Sequence, residues 1–217
     1  MEHDHAHEDV TERFSQATWD ARYGTGERIW SGNPNPRLVE HVTGIPVGTA
    51  LDVGAGEGAD AVWLAAHGWK VTALDVSPVA LSHTRTHADE SGVGDLVTTL
   101  RHDLMDGGPV PGEFDLVSAQ FWHPPADRRV DFDTVIGAAV RPGGTLLVVG
   151  HHPDDFHTGA RDPHGHAGYL FTPEDVVAVL PAERWDVRVA DAPTRQVTRA
   201  DGEQVTMTDS VVLAVRR

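Results

Sequence analysis

No cysteine occurs among the 217 residues of this chain. That excludes disulfide bonds and thiolate metal sites. Lysine is almost missing too: Lys70 is the single one among seventeen basic residues, a bias of genomic composition rather than of chemistry. Positive charge is scarce overall, and the formal net charge is -16 with histidines neutral. A general nucleic-acid binder needs a basic footprint, so no nucleic-acid partner is expected. The acidity reads as a source of solubility and carries no information about a small substrate. No apolar run reaches about eighteen residues, so no membrane span and no membrane partner are expected. The start, Met1-Glu2-His3-Asp4-His5-Ala6-His7-Glu8-Asp9, lacks the basic region and apolar core of a signal peptide. Its composition predicts a disordered tail over residues 1–9 and a cytoplasmic protein.

What is present is ordinary for a globular protein: 40% of the residues are apolar. The length suits one α/β domain, taken as residues 10–217. The most telling stretch is Leu51-Asp52-Val53-Gly54-Ala55-Gly56-Glu57-Gly58. An apolar, β-rich lead-in stops at closely spaced glycines, and a helix-like run follows. Glycine lets the backbone turn sharply and approach a ligand, because no Cβ intervenes. A strand end meeting a helix start makes a nucleotide-sized crevice. Gly54-x-Gly56-x-x-Ala59 satisfies a dinucleotide fingerprint. The same glycines also suit S-adenosylmethionine. Asp52 bears on the choice: a carboxylate two residues before the first glycine would face a pyrophosphate with like charge, but suits a ligand with an ammonium and a sulfonium. Asp75 ends a second strand, where an acid can hold a ribose diol of either ligand.

From residue 49 strands and helices alternate, which predicts a parallel sheet. Strands fall at 49–53, 70–75, about 97–103, 114–119 and 145–150, with helices at about 57–67, 78–91 and 127–140. Ser77-Pro78 and Thr172-Pro173 are helix starts, as is Pro36. A helix to about Leu180 and two strands near 185–191 and 206–215 follow, joined by the turn Ala200-Asp201-Gly202-Glu203. The segment 151–171, rich in His, Asp and Gly, reads as a loop or lid.

Gly54-x-Gly56-x-Gly58 resembles the glycine motif of class I S-adenosylmethionine-dependent methyltransferases. Asp75, Arg101-His102-Asp103-Leu104, Phe114-Asp115-Leu116-Val117 and Arg141-Pro142-Gly143-Gly144-Thr145-Leu146 look like its successive motifs. The resemblance implies a Rossmann-like α/β fold. Its sheet is seven-stranded and mostly parallel, with an antiparallel last strand inserted between strands five and six and helices on both faces. It implies S-adenosylmethionine as cofactor and S-adenosylhomocysteine as product. Asp52 would approach the methionine ammonium, and Gly54, Ala55 and Gly56 would line the methionine and ribose. Asp75 would take the ribose hydroxyls, Val76 the adenine face, Asp103 the adenine amino group with Leu104 beside the ring, and Gln120 would lie under the sulfonium. Trp19-Asp20-Ala21-Arg22-Tyr23, Trp30 and Asn33-Pro34-Asn35-Pro36 look like the start of the small tellurite-resistance and thiopurine type of methyltransferase. In that group this segment, here about 10–43, folds over the cofactor as a lid. Tyr23 and Trp30 would then cover the cofactor, or else simply pack the N-terminal helix on the sheet.

The resemblance points to a small-molecule acceptor. A thiolate or chalcogen oxyanion needs little beyond placement. An alcohol or amine usually needs a base, and histidine titrates in the right range. His123 follows the fourth strand and is the first choice; His151 and His152 follow the fifth. The His/Asp run from His151 to His166 matches no recognised zinc signature, so no metal is expected. Three other readings stay open. One is a nicotinamide-dependent oxidoreductase. Another is a cofactor-binding regulatory protein that keeps the fold without turnover. The third is a macromolecular methyltransferase with an acidic body.

Overall fold

The computed structural model describes residues 14–26, 28–106, 108–157, 168–199 and 202–217. The 1–9 tail and the His/Asp-rich residues 158–167 lie outside them. Five strands run parallel: β1 (Thr49–Val53), β2 (Lys70–Asp75), β3 (Val97–Arg101), β4 (Phe114–Gln120) and β5 (Val140–His151). Three more, β6 (Trp185–Asp191), β7 (Thr194–Thr198) and β8 (Gln204–Arg216), run antiparallel to their neighbours. The order is β3-β2-β1-β4-β5-β8-β6, with β7 also paired to β8. The last strand thus enters between β5 and β6, as the resemblance implies.

The sheet has eight strands, not seven. Pro193 has no amide to donate and breaks one edge into β6 and β7. Its carbonyl still accepts from the Asp209 amide at 3.0 Å, so the two pieces share β8 as their partner. Thr194–Thr198 is half-exposed and polar, which hid it from hydrophobic patterning.

Helices α1 (Gln16–Tyr23), α2 (Pro36–Val42), α3 (Ala59–Ala66) and α4 (Pro78–Glu90) precede the shorter α5 (Asp131–Thr134), α6 (Asp154–His157) and α7 (Pro173–Val177). Their starts follow local chemistry. Asn35, Ser77 and Thr172 each accept an amide of the first turn, and a proline stands at the head of each helix. The expected helix over 127–140 is instead α5 between two single 3₁₀ turns, Ala126–Arg128 and Gly137–Ala139. β-Branched Val130, Thr134, Val135 and Ile136 favour helix poorly. Asp133 is also turned inward, where it accepts the Trp185 indole N–H at 2.6 Å.

Successive residues of the central strands serve opposite faces. Leu51, Val53, Val117, Ala119, Leu146 and Val148 pack with Phe132, Ile136, Phe171 and Trp185. Ala50, Val71, Ala73, Leu116, Leu147 and Val149 pack with Leu38, Val42, Leu64, Trp69 and Ala88. Successive strands are added on one side from β1 to β3 and on the other from β4 onward, and the crevice outside the carboxyl ends of the parallel neighbours β1 and β4 is the expected ligand position.

Candidate active site

The loop after β1 is held from below and from the side. The Ala55 amide donates to the Leu74 carbonyl at 2.9 Å, and Thr84 Oγ1 of α4 donates to the Gly56 carbonyl at 2.8 Å. His87 Nδ1 donates to the Glu57 carbonyl at 2.8 Å. Gly54, Gly56 and Gly58 have φ of 68°, 55° and 83°, the left-handed region that favours glycine. A Cβ on Gly58 would strike the Thr84 side chain, whereas nothing lies within 4 Å of one on Gly54. Gly54 therefore borders open space, and Ala55 beside it is half-buried.

Under this loop sits a buried acidic group. Asp52 is 2% exposed, and its Oδ2 is buried without a hydrogen-bond partner among the described residues. Burial pushes its carboxyl well above the ordinary range, and Asp60 and Asp75 push it the same way. Burial also pushes Asp60 up to about 6, although the Asn35 amide donates to it at 2.6 Å. Asp75 at the end of β2 accepts from the amides of Gly56 and Ser77, both at 2.9 Å. Its burial raises its pKa against the lowering effect of those amides.

The register sets the remaining expected residues along the same sheet end. Asp75 pairs with Arg101, so Asp103 lies two residues beyond β3; its Oδ1 accepts the Met105 amide at 2.8 Å and Leu104 is buried behind it. Val76 is half-buried after β2. Gln120 ends β4, where Nε2 donates to Ser118 Oγ at 2.9 Å and Oε1 is buried without a partner among the described residues.

The N-terminal segment lies over the loop. A Cβ on Gly56 would come within 2.8 Å of the Tyr23 hydroxyl and 3.6 Å of the Trp30 indole nitrogen. That nitrogen donates to the Tyr23 hydroxyl at 3.3 Å. Tyr23 is buried, and burial with Asp75 and Glu57 nearby pushes its phenol up to about 12. Trp30 is 47% exposed, with the Arg22 guanidinium over its ring. Ser77 Oγ donates to Asp20 at 2.6 Å, which ties α1 to the head of α4. Tyr23 and Trp30 thus pack on the glycine loop. Two surface clefts of about 310 and 270 Å³ open beside the loop, around Arg28, Gly58 and His87, not over Asp52 and Asp75. The space over Gly56 is filled by Tyr23, and the convergent strand ends mark the site better than those clefts do.

His123 lies where the sequence puts it, but its Nε2 accepts the His151 backbone amide at 2.9 Å. That lone pair is committed, so proton acceptance at Nε2 would break the bond. Phe121, His151 and His123 form a ring stack, with centroids 4.3 and 5.0 Å apart. Phe121 has φ 58°, an uncommon strain for an aromatic residue and one concentrated at functional sites. This geometry supports a positioning role for His123, joining the ends of β4 and β5. Replacing His123 with Gln, which keeps an acceptor, should change the transfer rate less than tenfold; a base should cost roughly 10²–10⁴-fold. A loss of that larger size, with the rise near neutral pH abolished, would restore the base. His152 is half-buried beside Asp154. Among the described residues no group of three or more His, Asp or Glu is arranged to hold a metal, and no helix is long and apolar enough to cross a membrane.

Several residues of this site escape sequence reasoning: Glu57, Asp60, Asp20, Ser77 and Phe121. An acid inside the glycine motif and another in the first turn after it were the signals for Glu57 and Asp60. Asp20, Ser77 and Phe121 had none.

Residues 50–144 match the family model for the methyltransferase domain. Over these residues the chain is similar to a methyltransferase domain. A 2-heptyl-1-hydroxyquinolin-4(1H)-one methyltransferase from Mycobacteroides abscessus is 28% identical over 139 residues, 62% of this chain and 61% of that protein. Matches to a ribosomal RNA small subunit methyltransferase and a release factor glutamine methyltransferase span only 34% and 35% of those proteins. The chain therefore spans less than two thirds of the length of these relatives. The chain is also similar in fold to TehB from Haemophilus influenzae, with TM-score 0.68 and 15% identity over 93% of this chain and 67% of that one. A structure from work on converting a disulfide bond into a thioacetal group during echinomycin biosynthesis gives 0.74 and 23%, over 93% of this chain and 91% of that one.

Proposed function

We propose that this protein binds S-adenosylmethionine at the carboxyl ends of β1 to β4 and transfers its methyl group to a small-molecule acceptor, with S-adenosylhomocysteine as product. One observation carries the reading: the partnerless, buried Oδ2 of Asp52, with Asp60 and Asp75 close enough to raise its pKa, beside open space at Gly54. Buried negative charge of this kind is costly unless it meets a cation. A pyrophosphate would aggravate it, and an ammonium would relieve it. The bound cofactor supplies an electrophilic methyl group on a sulfonium.

The chain's own residues have distinct tasks. Asp52 receives the ammonium end, and Gly54, Ala55 and Gly56 let the backbone approach. Asp75 accepts from the ribose hydroxyls with the lone pairs its amide partners leave. Val76 and Leu104 flank the adenine, Asp103 accepts from its amino group, and Gln120 lies toward the reacting centre. Tyr23 and Trp30 exclude water from above, which favours displacement at the methyl. The net charge and the small-molecule substrate named for the quinolone relative support a small acceptor over a nucleic acid.

Calorimetry should find binding of S-adenosylmethionine and S-adenosylhomocysteine and none of NAD. Binding of NAD with neither adenosyl ligand would sink the proposal. A screen of thiols, phenols, amines and chalcogen oxyanions for S-adenosylhomocysteine release then identifies the acceptor.

A further inference from the structure

Glu57 stands between two glycines of the cofactor loop and is 4% exposed, so its side chain is fully committed. Its Oε2 accepts two amides of the N-terminal segment, Ile29 at 3.1 Å and Trp30 at 3.0 Å. Its Oε1 lies 3.6 Å from His83 Nδ1 of α4. The backbone behind it is pinned to the same helix through His87 and Thr84. Three links then form a closed circuit. Glu57 holds the Trp30 backbone, the Trp30 indole N–H holds the Tyr23 hydroxyl, and that hydroxyl lies over Gly56, the residue before Glu57. Among the described residues, Glu57 alone in the Gly54 to Gly58 loop reaches the segment above it with a charged acceptor. Hydrogen bonds to a charged acceptor are the stronger kind, and here one oxygen takes two.

We propose that Glu57 is a positioning residue: it seats Tyr23 and Trp30 over the loop, so that the cofactor site and its cover move as one unit. The inference rests on the methyltransferase reading for what the cover encloses, though the latch itself does not. It follows that the cover is set from within the cofactor-binding motif. A change at Glu57 should alter cofactor affinity without Glu57 touching the reacting atoms.

The test compares wild type, Glu57→Ala and Glu57→Gln by amide hydrogen exchange on the free protein and by calorimetry with S-adenosylhomocysteine. In Glu57→Ala, exchange at Ile29 and Trp30 should speed up roughly tenfold or more. Affinity should fall roughly 5- to 150-fold, the usual range for coupling between two parts of a protein. Glu57→Gln should recover part of both, since one amide oxygen can accept the same two N–H groups without the added strength of the charge. Trp30→Phe, at a half-exposed position that the fold tolerates, removes the indole donor and should weaken binding in the same direction by a smaller factor. Unchanged affinity in Glu57→Ala and in Trp30→Phe, with wild type binding normally, would overturn the positioning role alone. If Glu57→Ala does not fold, unchanged affinity in Trp30→Phe is sufficient to overturn it. A wild-type protein that binds no S-adenosylhomocysteine would overturn the methyltransferase reading, and exchange at Ile29 and Trp30 would still decide the latch.

Discussion

Replacing Asp52 with Asn should make the free protein more stable and the cofactor complex weaker. The carboxyl of Asp52 is raised well above its ordinary value by burial and by Asp60 and Asp75, and Asp60 is raised to about 6. The folded protein holds these protons more tightly than the unfolded chain does. Their contribution to stability is thus fully present below the ordinary value of 3.8 and is lost as pH rises through the folded values, about 6 for Asp60. At pH 7–8 Asp60 is ionised beside Asp52, and Asn at position 52 removes the buried ionisable group there. The melting temperature of the free variant should rise by roughly 4–8 °C at pH 7–8, the equivalent of about 2 kcal/mol for a chain of this size, and the gain should shrink toward pH 4. Affinity for S-adenosylhomocysteine should fall by roughly 10- to 150-fold, the loss of one charge-assisted hydrogen bond to an ammonium. Scanning calorimetry across pH and titration calorimetry read the two effects separately. Lower stability at pH 8, or unaltered affinity, would show that Asp52 is not held charged for a cation.

Asp75→Ala should have a still larger effect on binding. Its two oxygens fix the Gly56 and Ser77 amides, and they are the acceptors proposed for the ribose diol. Each charge-assisted bond contributes roughly 1.5–3 kcal/mol, so losing two lowers affinity by roughly 10²–10⁴-fold. Stability should fall much less, because removing Asp75 also relieves the cost of burying its charge and that of its neighbour Asp52. Equal affinities in wild type and variant, measured on folded protein, would take Asp75 out of the site.

The parts of this design that were legible in the sequence are those written in neighbouring residues. Asn35-Pro36, Ser77-Pro78 and Thr172-Pro173 each start a helix, because a cap and a proline act within one turn. The glycine motif and Asp75 reveal the crevice, since backbone freedom and a strand-end acid are local properties. The fold lost detail where tertiary contacts override local preference. Trp185 claims Asp133 and interrupts a helix, and Pro193 divides one edge of the sheet into two strands. In the site, Ser77 meets Asp20 across 57 positions of chain, and Trp30 meets Glu57 across 27. No spacing rule spans such distances. The committed lone pair of His123 was hidden for the same reason: its partner is a backbone amide 28 positions away.

The position of β8 has a consequence for how the chain is assembled. Among the described strands it comes last, yet it lies between β5 and β6 and is the one with which β7 pairs. During synthesis, β6 and β7 emerge from the ribosome with no edge to join, while the β5 edge, bearing Leu147 and Val149, stays open until residues 204–216 arrive. Asp209, on that strand, also receives the Arg37 guanidinium of α2 at 3.2 Å. One late segment therefore closes the sheet and secures an early helix at once. Pairing of this long range is slow, and an open apolar edge invites aggregation. A nascent chain that stops before β8 therefore leaves the apolar β5 edge open to wrong pairing.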